Sequence, residues 1–114
     1  GNVSLWWDAK YAIVAVKRDG SDNGRIQMFR CIIPYKNHPG AAEVDIVREN
    51  LIDEMRNGTE VITATLDEKN RRWIPGEAVD LADNGYLHAR TLPNDVLKDN
   101  LGELPEFQQT TSRL

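Results

Sequence analysis

The sequence is poor in the residues that build disulfide frameworks and structural metal sites. Its 114 residues include one cysteine, Cys31, and two histidines, His38 and His88. A single cysteine excludes an internal disulfide, and so few thiolate and imidazole groups fall short of the usual ligand set of structural zinc. We therefore predict a domain with no metal and no cofactor.

Long hydrophobic runs are also lacking. The longest uninterrupted apolar stretch, residues 11–16, is far below the roughly 20 residues that cross a bilayer, and no apolar block follows a basic start as in a signal peptide. Eight glycines and five prolines are too few for a low-complexity chain. We predict a cytoplasmic protein with one domain over residues 1–107, a flexible tail over 108–114, and no association with membranes.

Charge is unevenly distributed along the chain. Fourteen basic and eighteen acidic residues give a net charge of −4, which works against broad adhesion to nucleic acid or anionic lipid. Residues 1–42, however, hold six Lys or Arg against three Asp, a net charge of +3, so the remaining residues carry −7. An anionic partner would therefore be met by the first third of the chain.

The residue pattern predicts a strand hairpin followed by one helix. Residues 10–18 and 25–33 are rich in β-branched and aromatic residues, and a dense cluster of turn residues separates them. Over residues 42–57, apolar side chains recur at a spacing of three or four while charged side chains fill the other side. Asn57 and Gly58 then supply a helix stop.

The residues after this helix predict three or four more strands. Short β-rich segments alternate with turns, and they cover residues 60–66, 71–74, 78–82 and 86–91. No strand-helix-strand alternation is visible. We therefore predict an α+β fold: a single antiparallel sheet of about five strands with the amphipathic helix packed on one face, in the order β-β-α-β-β-β.

The end of the sequence resembles a known family. Its closing pattern consists of Gly85-Tyr86-Leu87, Arg90-Thr91, Pro93, Asp99-Asn100-Leu101 and Leu104-Pro105. This pattern is similar to the closing signature of small bacterial proteins grouped as domain of unknown function 3892. The resemblance covers mainly residues 85–107, and His88 and Ala89 separate two motifs that the family pattern joins. It implies a small intracellular bacterial domain whose biochemical role is unassigned.

Catalytic chemistry finds little support in the sequence. Neither histidine has a carboxylate and a nucleophile nearby in a recognised arrangement, and Cys31 lies among apolar residues where a thiol is inert. The acidic residues of the helix fit a solvated face better than a metal site, and those of the 19–24 turn fit turn chemistry. We predict no catalytic residue and therefore no enzyme.

The first third of the chain suggests an alternative function, binding of single-stranded nucleic acid. Aromatic residues there are interleaved with cations, which is how single-stranded nucleic acid is stacked and tracked. The cations that would contact nucleic acid are Lys17, Arg18, Arg25, Arg30 and Lys36. We favour the simpler interpretation that the aromatic residues are core and the cations keep the sheet soluble, because the whole chain is acidic.

A protein-interaction or regulatory module is the function that the sequence favours. A domain of this size cannot easily bury the large apolar side chains of Trp6, Trp7 and Trp73 completely. The edges of its sheet can also pair with a strand of another chain. We therefore expect the partner to be another protein or a second copy of this chain.

One loop could be either a structural clasp or a ligand site. Arg90, Asp99 and Asn100 lie in the closing pattern, where short Asx side chains can satisfy backbone donors in a turn. Arg90 could hold this turn through Asp95 or Asp99, and the sequence does not choose between them. We favour the clasp, although an arginine beside Asp and Asn can also grip a ligand.

Overall fold

The chain forms six strands and one helix within the residues that the computed structural model describes, which are 9–20, 25–34, 39–92 and 99–107. Their bounds are β1 (Tyr11–Arg18), β2 (Ile26–Pro34), β3 (Pro39–Val47), α1 (Arg48–Arg56), β4 (Val61–Asp67), β5 (Arg72–Leu81) and β6 (Leu87–Ala89). The α+β class is confirmed. Trp6, Trp7 and the tail over 108–114 lie outside the described residues. The described part of the chain contains no helix long and apolar enough to span a membrane.

The sheet is mixed, so the prediction of a purely antiparallel sheet is wrong. Its strand order is β3-β2-β1-β4-β5-β6, and β4 pairs in parallel with β1 while every other named pair is antiparallel. The parallel pair arises because α1 carries the chain from the edge strand β3 across to the far side of β1. β3, α1 and β4 therefore form a crossover, which needs a helix-sized connection because a hairpin turn cannot join parallel strands.

The helix is shorter than the predicted 42–57 segment. Residues 39–47 form β3, and the helix proper occupies only 48–56. Val44 and Ile46 pack against the core while Glu43 and Asp45 are exposed, which is the two-residue period of a strand. The predicted order lacked this strand because Val44 and Val47 also fit a helical spacing. Because residues 43–47 pair with β2 and are rich in β-branched side chains, this segment forms a strand and not a helix.

The two segments predicted over 71–74 and 78–82 are one continuous strand, β5. A register shift directly after Pro75, which pairs with Ala64, sets Gly76 and Glu77 opposite Thr63 as a bulge within it. Thr63 Oγ accepts a hydrogen bond from the Glu77 backbone N–H at 3.1 Å. A Cβ at Gly76 would lie 2.3 Å from this oxygen, so the bulge requires glycine.

The hydrophobic core has one cluster on each face of the sheet. The larger cluster lies beneath α1 and includes Ile13, Phe29, Leu51, Leu87 and Leu101. The smaller cluster gathers side chains from the alternate positions, namely Ala9, Ala12, Val14, Ile32, Ile62 and Ala64, with Trp73 packed against it. Because both faces carry buried apolar residues, the central strands are apolar on both sides.

Residues 99–107, which we call the closing segment, connect the last strand back to the first. Asn100 exchanges backbone hydrogen bonds with Leu87 and Ala89 of β6, at 2.7 and 2.8 Å. Pro105 and Phe107 bond the backbone of Val16 in β1, at 2.9 and 3.0 Å. The route from β1 through β4, β5 and β6 and back along the closing segment is therefore a closed ring of hydrogen-bonded chain.

Truncating Leu101 tests whether the closing segment belongs to the core. Leu101 is 5% exposed and packs in the larger cluster. We expect Leu101→Ala to lower the free energy of unfolding by about 2 to 5 kcal/mol, because the variant loses buried methyl groups and leaves a cavity. Urea denaturation measures this, with the exposed Glu103→Ala as a control that should change stability by less than about 0.5 kcal/mol. Equal stability of the two variants would place the segment outside the core.

Candidate functional site

A buried ion pair joins the helix to the closing segment. The side chain of Asp99 is 0% exposed and that of Arg48 is 12% exposed. Arg48 Nη2 donates to Asp99 Oδ1 at 2.9 Å, and Arg48 Nη1 donates to Asp99 Oδ2, so the contact is bidentate. This planar fork is the strongest geometry available to an Arg–carboxylate pair.

Backbone groups complete the hydrogen bonding of this pair. Asp99 also accepts from the N–H groups of Ile26, at 2.7 Å, and Leu87, at 2.9 Å. Arg48 also donates to the carbonyl oxygens of Ile26, at 2.9 Å, and Gly85, at 3.1 Å. Each carboxylate oxygen therefore accepts two hydrogen bonds, which offsets the cost of burying the charges. The pair ties together β2, α1, the turn before β6 and the closing segment.

An open groove of about 560 Å³ lies beside this pair, between α1 and the end of the β1–β2 hairpin. Its lining includes Asp19, Arg25, Gln27, Arg48, Glu49, Ile52, Asp53 and Arg56, so acids and cations are balanced. Arg25 and Arg48 approach the ring of Tyr86, with guanidinium carbons 5.7 and 6.0 Å from its centroid. Within the described lining, neither sign of charge therefore predominates.

Arg90 is placed apart from Asp99. Its Nε and Nη2 donate to Asp80 at 3.0 and 2.9 Å, in an ion pair on the surface between β5 and the residues after β6. The Arg90 guanidinium lowers the pKa of the Asp80 carboxyl through this hydrogen bond. Of the two partners suggested by the sequence, Asp99 pairs with Arg48 instead and Asp95 lies outside the described residues. The choice between a clasp and a ligand loop stays a prediction.

Three of the cations predicted to contact nucleic acid are arginines that the structure describes, and each of them bonds another side chain of the domain. Arg30 forms a bidentate pair with Asp45 at 2.9 and 3.1 Å, and its guanidinium lies 4.2 Å from the centroid of the Phe107 ring. Arg18 pairs with Glu106 at 3.3 Å. Arg25 hydrogen-bonds Tyr86, which raises the pKa of its guanidinium. Lys17 lies near the end of β1, Lys36 is outside the described residues, and binding of nucleic acid stays a prediction.

The remaining reactive side chains are held in structural contacts. His88 is 8% exposed, and its Nδ1 lies 3.0 Å from the Ala89 carbonyl oxygen. Cys31 is fully buried, and this burial raises the pKa of its thiol far above the usual range. His38 lies outside the described residues. Within the described ranges, no three His, Cys, Asp or Glu side chains are grouped so that they could hold a metal ion.

The ends of β4 and β5 form a feature that we call the projecting arm, residues 64–67 and 72–75. β4 pairs with β1 only through residues 61–63, and β5 pairs with β6 only through residues 79–81. Beyond those residues β4 and β5 pair with each other, and no third strand of the described chain joins them. Within the described ranges, the arm is therefore a two-stranded ribbon with two open edges.

Large apolar side chains are exposed on both faces of the projecting arm. Leu66 is 48% exposed and Ile74 is 42% exposed. Leu66 is opposite Trp73, whereas Ile74 is opposite Thr65, so Leu66 and Ile74 lie on opposite faces. A depression of about 370 Å³ lies beside Leu66, between Glu68 and Arg71. The exposure of Leu66 and Ile74 could not be predicted from the sequence, because an alternating strand pattern does not show which face a neighbouring element covers.

Neutralising Asp99 tests the buried pair. We expect Asp99→Asn to lower the free energy of unfolding by about 3 to 5 kcal/mol, because Arg48 would be left buried without its counter-charge. The matched control is Asp80→Asn, which removes the same charge from the exposed Arg90 pair and should cost about 0 to 1 kcal/mol. Chemical denaturation of both variants measures the difference. Similar losses in the two variants would contradict a special role for the buried pair.

The buried thiol gives a second test of packing. We expect Cys31 in the folded protein to resist a thiol-reactive disulfide reagent near pH 8, because burial disfavours the thiolate that reacts. In urea the thiol should react completely, since an unfolded cysteine has a pKa of about 8.5. Absorbance of the released thiolate follows the reaction. Rapid labelling of the native protein would show that β2 is less well covered than its burial indicates.

Comparison with known proteins supports the resemblance in the closing pattern. No curated protein and no solved structure matches the chain. The model of one family, described as "Protein of unknown function (DUF3892)", matches residues 12–105 of the 114. This match extends from β1 to the closing segment and so covers far more than the residues that suggested it. The chain belongs to this family of proteins of unknown function, DUF3892.

Proposed function

We propose that this domain is a non-enzymatic protein-interaction module that binds through its projecting arm. The observation that carries the proposal is the exposure of Leu66 and Ile74 on opposite faces of a ribbon with open edges. Covering these half-exposed side chains would contribute about 1 kcal/mol each from the apolar surface removed from water. Because, within the described ranges, the arm has only two strands and is packed against the core only through Ala64 and Trp73, a partner would also stabilise the arm itself.

The buried polar side chains support a non-enzymatic role. Thr63, His88 and Asp99 are the buried polar or charged residues of the described chain. Thr63 accepts from Glu77, His88 contacts the Ala89 carbonyl, and Asp99 is saturated by Arg48 and two backbone donors. A catalytic acid or base must be within reach of a substrate proton. These three groups are instead committed to the fold.

A second copy of the chain is the partner that the proposal names first. Pro75 has no N–H, so its pair with Ala64 cannot exchange backbone hydrogen bonds. By the alternation of an antiparallel ladder, Leu66 then directs its N–H and C=O away from β5, toward the open edge of β4. Another β4 can pair at that edge, whereas Pro75 obstructs the outer edge of β5.

Oligomeric state tests self-association. We expect the mass measured by light scattering to rise with concentration above the 12.9 kDa of one chain. The double variant Leu66→Asp, Ile74→Asp should stay monomeric, because charge on the arm opposes burial. Val47→Asp is the matched control, since Val47 is also an exposed large hydrophobic residue but lies on β3, and it should behave as wild type. A monomeric wild type at high concentration would overturn self-association.

Affinity capture then tests the wider proposal. Wild type and the arm variant, both shown to be folded by circular dichroism, are used to retain proteins from the native host. The proposal predicts a specific protein that wild type retains and the arm variant loses. Equal recovery of the same proteins by the wild type and the arm variant would overturn the arm as a binding surface.

A further inference from the structure

We propose that the outer edge of β3 accepts an extended segment of a partner protein, carrying one apolar and one basic side chain, as an added antiparallel strand. This surface is separate from the projecting arm, because two strands, β2 and β1, lie between β3 and β4 in the sheet. The proposal therefore does not depend on self-association through the arm.

The backbone of β3 is suited to strand addition. β3 has nine residues, lies at the end of the strand order, and within the described chain pairs only with β2. Alternate residues of such an edge direct their N–H and C=O groups outward. Edges are commonly blunted by a short strand, a bulge or proline. Between Glu43 and Val47, β3 keeps a regular register with β2 and contains no bulge or proline, and the charges of Glu43 and Asp45 are what its edge sets against pairing.

The side chains of β3 indicate what an added strand should carry. Glu43, Asp45 and Val47 are exposed and share one face, since Val44 and Ile46 between them pack toward the core. These three side chains would be the cross-strand neighbours of any strand that pairs with this edge. An added segment must therefore suit two acids and one apolar residue in alternation.

The two acids on this face differ in their ion pairing. Arg30 binds Asp45 with both arms of its guanidinium and so neutralises it. Glu43 forms no salt bridge with any residue in the described ranges. A basic side chain opposite Glu43 and an apolar one opposite Val47 would complement the edge. In an antiparallel strand, the apolar residue comes first and the basic residue follows four positions later.

A second copy of β3 fits this edge poorly. Two antiparallel β3 strands centred on Asp45 would set Asp45 against Asp45, and two centred on Val44 would set Glu43 against Asp45. Like charges directly opposite each other in a sheet are destabilising. A segment of a different protein that supplies the cation is therefore the occupant that the charges favour.

Nuclear magnetic resonance with a short peptide tests the proposal on the full chain. The probe is a capped peptide TLTTTKT, which places leucine and lysine four positions apart. We expect it to shift the amide signals of β3 and to slow hydrogen exchange at alternate β3 amides, which become bonded to the added strand. The control peptide TLTTTET, with glutamate in place of lysine, should bind wild type about tenfold more weakly.

A charge swap provides the specificity test. Glu43→Lys should lose about tenfold in affinity for the lysine peptide and gain affinity for the glutamate peptide. Glu68→Lys makes the same change of charge at the tip of the arm and should bind the lysine peptide as wild type does. Preserved dispersion of the amide spectrum shows that each variant is folded.

Three outcomes would overturn the proposal. The first is no preference of wild type for the lysine peptide over the glutamate peptide, which requires no variant. The second is signal shifts confined to the arm or spread over the whole domain. The third is shifts in β3 that grow with domain concentration without peptide, which would identify a second copy as the occupant.

Discussion

The ion pair between Arg48 and Asp99 is the interaction on which the arrangement of the other elements depends. It is buried, and its hydrogen bonds reach the backbone of Ile26, Gly85 and Leu87. Four parts of the chain that are far apart in sequence therefore meet at one carboxylate and one guanidinium. Because desolvating two charges is costly, such a pair is retained only where its hydrogen bonds are complete, and here each carboxylate oxygen accepts two.

The pair also stabilises the two connections of the mixed sheet, one through α1 and one through the closing segment. The crossover through α1 leaves β1 and β4 paired over only three residues, and the closing segment continues the hydrogen bonding of β1 at Val16. Arg48 starts the helix that makes the crossover, and Asp99 lies in the segment that closes the ring. Joining these two points fixes the path of both connections. The β3 edge lies outside this ring and the projecting arm extends beyond it, and these are the two surfaces for which we propose binding.

The sequence predicted the features that depend on local pattern. The α+β class, the first hairpin and the family resemblance could all be read from turn residues, β-branched runs and motifs. The β3 strand could not, since Val44, Val47 and Leu51 satisfy a helical period and only the pairing with β2 selects a strand. Arg48 also escaped prediction, because its partner Asp99 is 51 residues away and nothing local distinguishes it from the other cations of the helix. Arg90, which does stand in the closing motif, pairs with Asp80 across two antiparallel strands.

Native-state hydrogen exchange at two amides tests the central role of the buried pair most directly. The N–H groups of Ile26 and Leu87 both donate to Asp99, whereas the Asn70 N–H donates to the exposed Asp67 in a turn. If the pair holds the domain together, Ile26 and Leu87 should exchange only through global unfolding, with one common free energy equal to that from denaturation. Asn70 should exchange much faster through local opening. Exchange of Ile26 and Leu87 at rates close to that of Asn70 would show that the pair opens without unfolding the domain, and would contradict the account.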